Sequence, residues 1–431
     1  MKKKRLLIGL SVVMLQAVPC TVGAQTLEVC QQAAERNYPL IRQYDLTSRT
    51  TQLTVDNIGK GWLPQVTATA QATYQSDVTA WPEQMQGLMQ QMGIALDGLK
   101  KDQYRVGIDV QQTVFDGGAI SSQKTVAKRQ GDVQTAQNEA DMYKVRKRVN
   151  DMYFGLLLLD QQIVLNSDLQ ELLSANERKL GAMVKSGTAA ESDYNSVKAE
   201  RLNTIQQMTA LQSCRQALCR MLSVFCGIEV TSAVKPTPQS AAATQQQASL
   251  RPELKVFDAQ LRLADAQEKM LDAALMPKVG LFAQGYYGYP GLNMFEDMMH
   301  HRWSLNGIVG ARLQWNIGAL YTRKNDKAKL SVQRSMFNVQ RETFLFNNQL
   351  EQIQQNENIA RYRQLMTSDD EIIALRSAVR KAAESKLAHG IIDVNDLVRE
   401  INAENAAKAQ QAMHEIEWLK EIYDLKYTTN N

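Results

Sequence analysis

Two proline-led tetrapeptides, Leu63-Pro64-Gln65-Val66 and Met276-Pro277-Lys278-Val279, open the same succession of segments in the two halves of this chain. Each closes a helical stretch and starts a run of alternating residues. A second alternating run follows, then a glycine turn, a very long polar helical stretch and a shorter helical return. A unit used twice predicts a pseudo-symmetric structure. Two barrel-type strands joined to helices far longer than a globular domain needs imply a pore that crosses a membrane and continues through water.

The strands are read from their period of two. In 66–75, Val66, Ala68, Ala70, Ala72 and Tyr74 share one face, and Thr67, Thr69, Gln71, Thr73 and Gln75 the other. In 104–114, Tyr104, Val106, Ile108 and Val110 oppose Arg105, Gly107, Asp109 and Gln111. A third strand is expected over 279–289. A fourth is expected over 303–315, where Trp303, Leu305, Val309, Leu313 and Trp315 alternate with Ser304, Asn306, Arg312 and Gln314. The 76–103 connection is long for a hairpin. Its Met85, Leu88, Met89 and Met92 fall at helical spacing, which predicts a surface loop holding a short helix.

Gly117-Gly118 and Gly318 turn the chain from strand to helix. Proline-free stretches follow, from 119 to about 185 and from 319 to about 387; at 1.5 Å per residue the first reaches ~100 Å. Val126, Val133 and Ala140, then Val149, Leu156 and Ile163, recur in sevens, a coiled-coil signal. Gly187 and Gly390 break the long helices at matched distances from the turns, and 191–225 and 395–427 run back. The organisation expected is a signal peptide over 1–24, a first repeat over 25–227, a linker over 228–248 and a second repeat over 249–431.

Scarce proline (9 residues), 6% aromatics and a net charge of +4 fit long helices rather than a compact enzyme core or a nucleic-acid surface. Lys2 to Arg5, the apolar 6–18 and Val22-Gly23-Ala24 read as a secretory signal cleaved after Ala24. Cys20 leaves lipidation open, although Pro19 fits a lipobox badly. Beyond the signal no apolar run is long enough for a spanning helix, so any membrane crossing must be a closed barrel. Exported cysteines pair readily. Cys30 opens the first helical stretch and Cys226 ends the last helix of the first repeat, which makes them candidates for a disulfide; small core residues are the alternative. No spacing matches a zinc site, and His300-His301 lacks further ligands, so neither metal nor cofactor is expected. Nothing groups a nucleophile with a base and an orienting acid, so no enzyme activity is expected.

Four strands of about ten residues reach across a membrane at a tilt but cannot close a barrel, for which eight is the minimum in one chain. Open edges in lipid cost several kcal/mol for each unpaired backbone group. The chain must therefore oligomerise through its strands, with the apolar faces toward lipid and the Thr, Gln, Asn and Arg faces toward a wet lumen. Trp62, Tyr74, Tyr104, Trp303 and Trp315 stand near strand ends, where interfacial aromatics gather.

At this point the chain resembles the TolC-like outer-membrane efflux proteins. The resemblance lies in the strand-opening Pro64 and Pro277, the Val114-Phe115-Asp116-Gly117-Gly118 strand exit and the Arg251-Pro252-Glu253-Leu254 start of the second repeat. It also lies in two glycine breaks each followed by Asp at the sixth position (Gly187 with Asp193, Gly390 with Asp396), and it covers essentially the whole mature chain. It implies a mixed fold, a membrane β-barrel on a long α-helical coiled-coil barrel, built from two helix–strand–strand–long helix–helix repeats. Three chains would share one twelve-stranded barrel in the outer membrane, with the helices in the periplasm. The N-terminal segment, the linker and the C-terminal tail would meet at mid-height. The tips would meet a periplasmic adaptor (membrane fusion) protein served by an inner-membrane pump of RND or ABC type.

The resemblance also implies an acidic selectivity ring after the second glycine break. Asp396 matches it and Asp193 matches the acid of the first repeat. Arg399 stands where a second acid would repeat the ring, and Ile392 where the family can place a basic gate-closing residue. The solvated carboxylate of a helix start is the plainer account of Asp396. The function expected is a passive outer-membrane export channel, with small-molecule (drug) efflux foremost. The alternatives are a type I protein secretion channel and a structural trimer of barrel and stalk.

Overall fold

The computed structural model of the chain describes residues 25–93, 98–237 and 249–430. The signal segment with Cys20 and most of the linker lie outside the described residues. Contacts divide the chain into two compact units, Arg42–Asp141 with Leu250–Asn348, and Met1–Ile41 with Met142–Ser249 and Gln349–Asn431. Two helices, α4 (Ala119–Lys185) and α8 (Ala319–Ala388), start in the first of these and end in the second.

The first unit is built on one antiparallel sheet in the order β1 (Gln65–Tyr74), β2 (Asp102–Phe115), β3 (Lys278–Tyr289), β4 (Ser304–Gln314). Pro64 and Pro277 sit directly before β1 and β3, where a residue without an N–H costs no ladder bond. The register joins the alternating faces: Ala68 lies opposite Ile108, Ala70 opposite Val106, and Ala283 opposite both Val110 and Val309. Helices α2 (Arg42–Gly59) and α6 (Glu253–Ala274) lead into β1 and β3. Alanines on α4 and α6 pack closely, with Ala136 and Ala140 against Val256 and Ala259. Arg334 on α8 spans Asp265 and Glu268 of α6, and Arg323 and Lys327 share Asp272.

The β1–β2 connection contains α3 (Glu83–Gln91), in the region where methionine spacing placed a helix. The β3–β4 connection contains α7 (Met294–His300), which the sequence did not suggest. Asn293 caps it at the start and His301, at φ 49°, ends it. His301 Nε2 lies 3.1 Å from Gly98 O, so the histidine joins the two connections across a small core of Leu99, Tyr289 and Met298.

The second unit gathers α1 (Leu27–Asn37), the distal parts of α4 and α8, and the returns α5 (Glu191–Cys226) and α9 (Val394–Thr429). Its apolar core is the heptad stripe of α4 at its strongest: Val145, Val149, Tyr153 and Leu156 are all buried. Around Tyr153 the N-terminal segment and the start of the linker meet. Gln25 bridges Ala233, and the Tyr153 hydroxyl lies 2.7 Å from Gln25 O and 2.6 Å from Val234 O. Tyr423 and Tyr427 of α9 close the same region, Tyr427 stacking on Tyr143 and Tyr423 meeting Phe154 at a tilt.

Candidate functional site

The sheet has two chemically distinct faces. One carries Val66, Val106, Ile108, Leu281, Leu305, Val309 and Leu313, all exposed. The other carries Thr69, Asp109, Gln111, Gln284, Asn306 and Arg312, with Thr69 Oγ1 3.3 Å from Asp109 Oδ2. Aromatic residues on this polar face are covered by cations. Arg105 lies 3.8 Å from the Tyr286 ring centroid and Arg312 5.2 Å from that of Phe282, a pairing that keeps the rings from presenting bare apolar surface to water. At one end of the sheet Trp303 stacks with Tyr104 and meets Tyr287; at the other Trp315 Nε1 donates to Leu275 O at 2.9 Å. Among the described residues β1 pairs only with β2 and β4 only with β3, so both outer edges present free backbone groups.

The turn from β2 into α4 depends on Asp116, which the sequence placed in the strand exit without showing what its carboxylate does. Asp116 is buried, and its carboxylate accepts from Gly118 N at 2.9 Å and Ile120 N at 2.5 Å, serving the orphan amides of the helix start. Gly117 and Gly118 both have positive φ (67° and 85°), but for different surroundings. A Cβ on Gly117 would stand 2.2 Å from Met276 Cβ; on Gly118 it would meet nothing within 4 Å. Gly118→Ala should cost about 1 kcal/mol of backbone strain alone. Gly117→Ala should cost a further 1–2 kcal/mol for the clash. Denaturant midpoints of the two variants check this; equal losses would contradict it. Gly318 differs: its φ is not positive and a Cβ there would make only an ordinary 3.6 Å contact with Asn316 Oδ1, so the second turn does not depend on glycine as the first does.

The helix tips lie in the second unit. Gly187 (φ 77°) and Gly390 (φ 69°) end the long helices in the left-handed conformation, with open space where a Cβ would be. After the first break Asp193 accepts from Ala190 N at 3.3 Å; after the second Asp393 accepts from Asp396 N at 2.8 Å. Asp393, not Asp396, is therefore the cap of α9. Asp396 is half exposed and pairs with Arg399 Nη2 at 2.9 Å; Arg399 also reaches Glu400 at 3.7 Å. Leu169, Leu173 and Leu180 of α4, Val197 of α5, Ala383 of α8 and Val394, Leu397 and Ile401 of α9 form one apolar cluster beneath both breaks.

Each hairpin is also fastened by a partly buried ion pair. Arg201 binds Glu177 in the first, and Arg380 binds Glu404 in the second. Glu177 and Arg380 each precede their glycine by ten residues (187 − 177, 390 − 380), and Arg201 and Glu404 follow it by fourteen (201 − 187, 404 − 390). The two halves thus hold the same bridge with its charges exchanged.

Residues 29–222 match the sequence model of a family described as outer membrane efflux protein. Three solved structures share the fold over 94% of this chain, each at 12% identity. They are the CusC transmembrane channel (91% of that chain, TM-score 0.68), the outer membrane protein VceC of Vibrio cholerae (94%, 0.64) and the CmeC outer membrane channel of Campylobacter jejuni (85%, 0.64). No curated protein matches the sequence. The likeness to the TolC-like outer-membrane efflux proteins holds. Over 29–222 it is a likeness of sequence; over the remainder it is carried by the fold.

Ile392, His414 and the Cys30–Cys226 pair were also singled out in the sequence, and each has a defined place in the second unit. Ile392, at the place of a basic gate residue, packs against the apolar cluster beneath the tips, so no ion pair is made there. His414, isolated in sequence, is buried and has its Nδ1 2.9 Å from Asp369 Oδ2, a partner 45 residues away on α8. Cys30 and Cys226 are brought together, with Cys226 Sγ 3.3 Å from Cys30 O.

Proposed function

We propose that the chain is a passive outer-membrane export channel whose three copies share one twelve-stranded barrel. On this reading residues 1–24 are removed on export, 25–227 and 249–431 are the two repeats, and 228–248 joins them. The open sheet carries the proposal: four strands with one exposed apolar face and two free edges are unstable in lipid until copies complete them. A second exposed row supports it. On α8, Val332, Met336, Val339, Phe346, Leu350 and Ile353 fall at intervals of four, three and seven, the seam of a coiled coil that one chain leaves uncovered.

The lumen is the polar face of the sheet, continued by the polar long helices. The tips would receive cargo from a periplasmic adaptor and an inner-membrane pump that supplies the energy, and the cargo class favoured is small molecules. Asp396 from three copies is the candidate selectivity ring, with Arg399 placed to screen it.

Purified mature protein in a planar bilayer tests the reading. Steady single-channel currents are expected, with Asp396→Asn shifting selectivity away from cations and Arg399→Ala shifting it toward them. Currents indifferent to both substitutions would remove the ring, and absence of current would remove the channel.

A further inference from the structure

We infer that Cys30 and Cys226 are oxidised to a disulfide that clamps the N-terminal helix to the end of the first hairpin. Both thiols are fully buried, at 0% and 2% exposure, and they face one another across the α1–α5 junction. The junction is already aligned by other groups. Asn37, the last residue of α1, donates from Nδ2 to Val224 O at 3.0 Å and Phe225 O at 3.3 Å, serving the terminal carbonyls of α5. Tyr38 packs on Phe225 with ring centroids 5.2 Å apart. Gly227 ends α5 at φ 69°, and a Cβ there would stand 2.5 Å from the Asn37 carboxamide. These contacts hold the two cysteines side by side, and a disulfide forms only between cysteines kept at close range.

The remaining cysteines are placed differently. Cys214 is exposed, and Cys219 is buried with its Sγ 3.7 Å from Thr231 O. Within the pair, the hydrogen bond from Cys226 lowers the Cys30 thiol against the opposing effect of burial, while that bond and burial both raise Cys226. While the junction is still forming, the thiolate of one cysteine attacks the disulfide of a dithiol–disulfide exchange oxidant, and the thiolate of the other then displaces the oxidant's sulfur from the mixed disulfide. The two thiols give up two protons and two electrons, and the oxidant leaves as a dithiol. The bond closes a loop from 30 to 226 that takes in the whole first sheet hairpin and both helices of the first coiled coil, so it restrains most of the unfolded first repeat.

The inference rests on export to an oxidising compartment, and the two are read separately. Cells are quenched with acid, the full chain is unfolded and alkylated without reductant, and its peptides are mapped. The expected result is a Cys30–Cys226 linked peptide, with Cys214 alkylated as the internal control. Free Cys30 and Cys226, or a Cys219–Cys226 link, would overturn the clamp. The purified chain refolded with oxidised glutathione should give the same link, and a free pair there also overturns it. Fractionation away from the outer membrane, with the link still formed on refolding, would sink the export reading and leave the clamp standing. Cys226→Ser should lower the melting temperature as much as reductant does in the parent, and should abolish the response to reductant.

Discussion

Arg380→Met should destabilise the second helical hairpin by about 1–3 kcal/mol, because it leaves a buried carboxylate with Lys408 as its one remaining cation. Glu404 is 4% exposed and is held between Arg380 on α8 and Lys408 on its own helix. Burial alone would raise its carboxyl; the hydrogen bonds from Lys408 and Arg380 more than offset this and hold it below its ordinary value. A depressed carboxylate contributes stability that is present above the unfolded value and lost as pH falls through the folded one. The penalty of Arg380→Met should therefore be largest at neutral pH and shrink once Glu404 protonates. The double variant Arg380→Met/Glu404→Met should recover most of the loss, since two matched apolar chains replace two matched charges. Denaturant midpoints of the detergent-solubilised protein at pH 7 and pH 4 check all three statements. A double variant as unstable as the single one would show that the pair is not the source of the loss. The exchanged charges of the Glu177–Arg201 bridge give the arrangement a second consequence. At the same register, α4 against α9 would oppose Glu177 and Glu404, and α8 against α5 would oppose Arg380 and Arg201. Each long helix is thereby matched to its own return.

Asp424→Asn should act in the opposite direction and stabilise the protein by about 3 kcal/mol at pH 7. Asp424 is 8% exposed, and its Oδ1 has no hydrogen-bond partner among the described residues. Burial pushes the carboxyl up to about 6 despite Lys147 and Lys420, with Asp151 and Glu421 adding repulsion. The sign follows from the direction of the shift. Protonation is favoured in the folded state, so stability is greatest below the ordinary value of 3.8, declines as pH rises toward 6 and is flat above that. A difference of about two pKa units corresponds to roughly 3 kcal/mol, the amount the neutral amide recovers. Below about pH 4 parent and variant should coincide. Thermal melts across pH 3.5 to 8 test this; a variant less stable at pH 7 would mean that the charged form of Asp424 is favoured by its surroundings.

The strands, turns and long helices were legible because each rests on local chemistry. Alternation over 66–75 and 303–315 fixes which residues share a face, and β1 and β4 form within a residue or so of those limits. The glycine breaks were legible because the left-handed conformation admits few other residues. What the sequence concealed depends on partners far along the chain. The Asp369–His414 contact, the Asn37 cap on α5 and the two charge-exchanged bridges are side-chain meetings across a hairpin or between helices. The bridges alone left a readable trace, their equal offsets from Gly187 and Gly390. At seven residues α7 is too short to show a period, and Asp116 looked like part of a turn until its carboxylate was seen on two helix amides. Asp396 was singled out by position, but the cap at that helix start is Asp393, and Asp396 spends part of its charge on Arg399.

Native mass spectrometry of the mature protein released from detergent addresses the open sheet most directly. The free edges of β1 and β4 require a particle of three chains that holds together as the micelle is removed and does not form without detergent. A single chain that stays dispersed in plain buffer would contradict the account, because its apolar sheet face and both edges would then be satisfied by water.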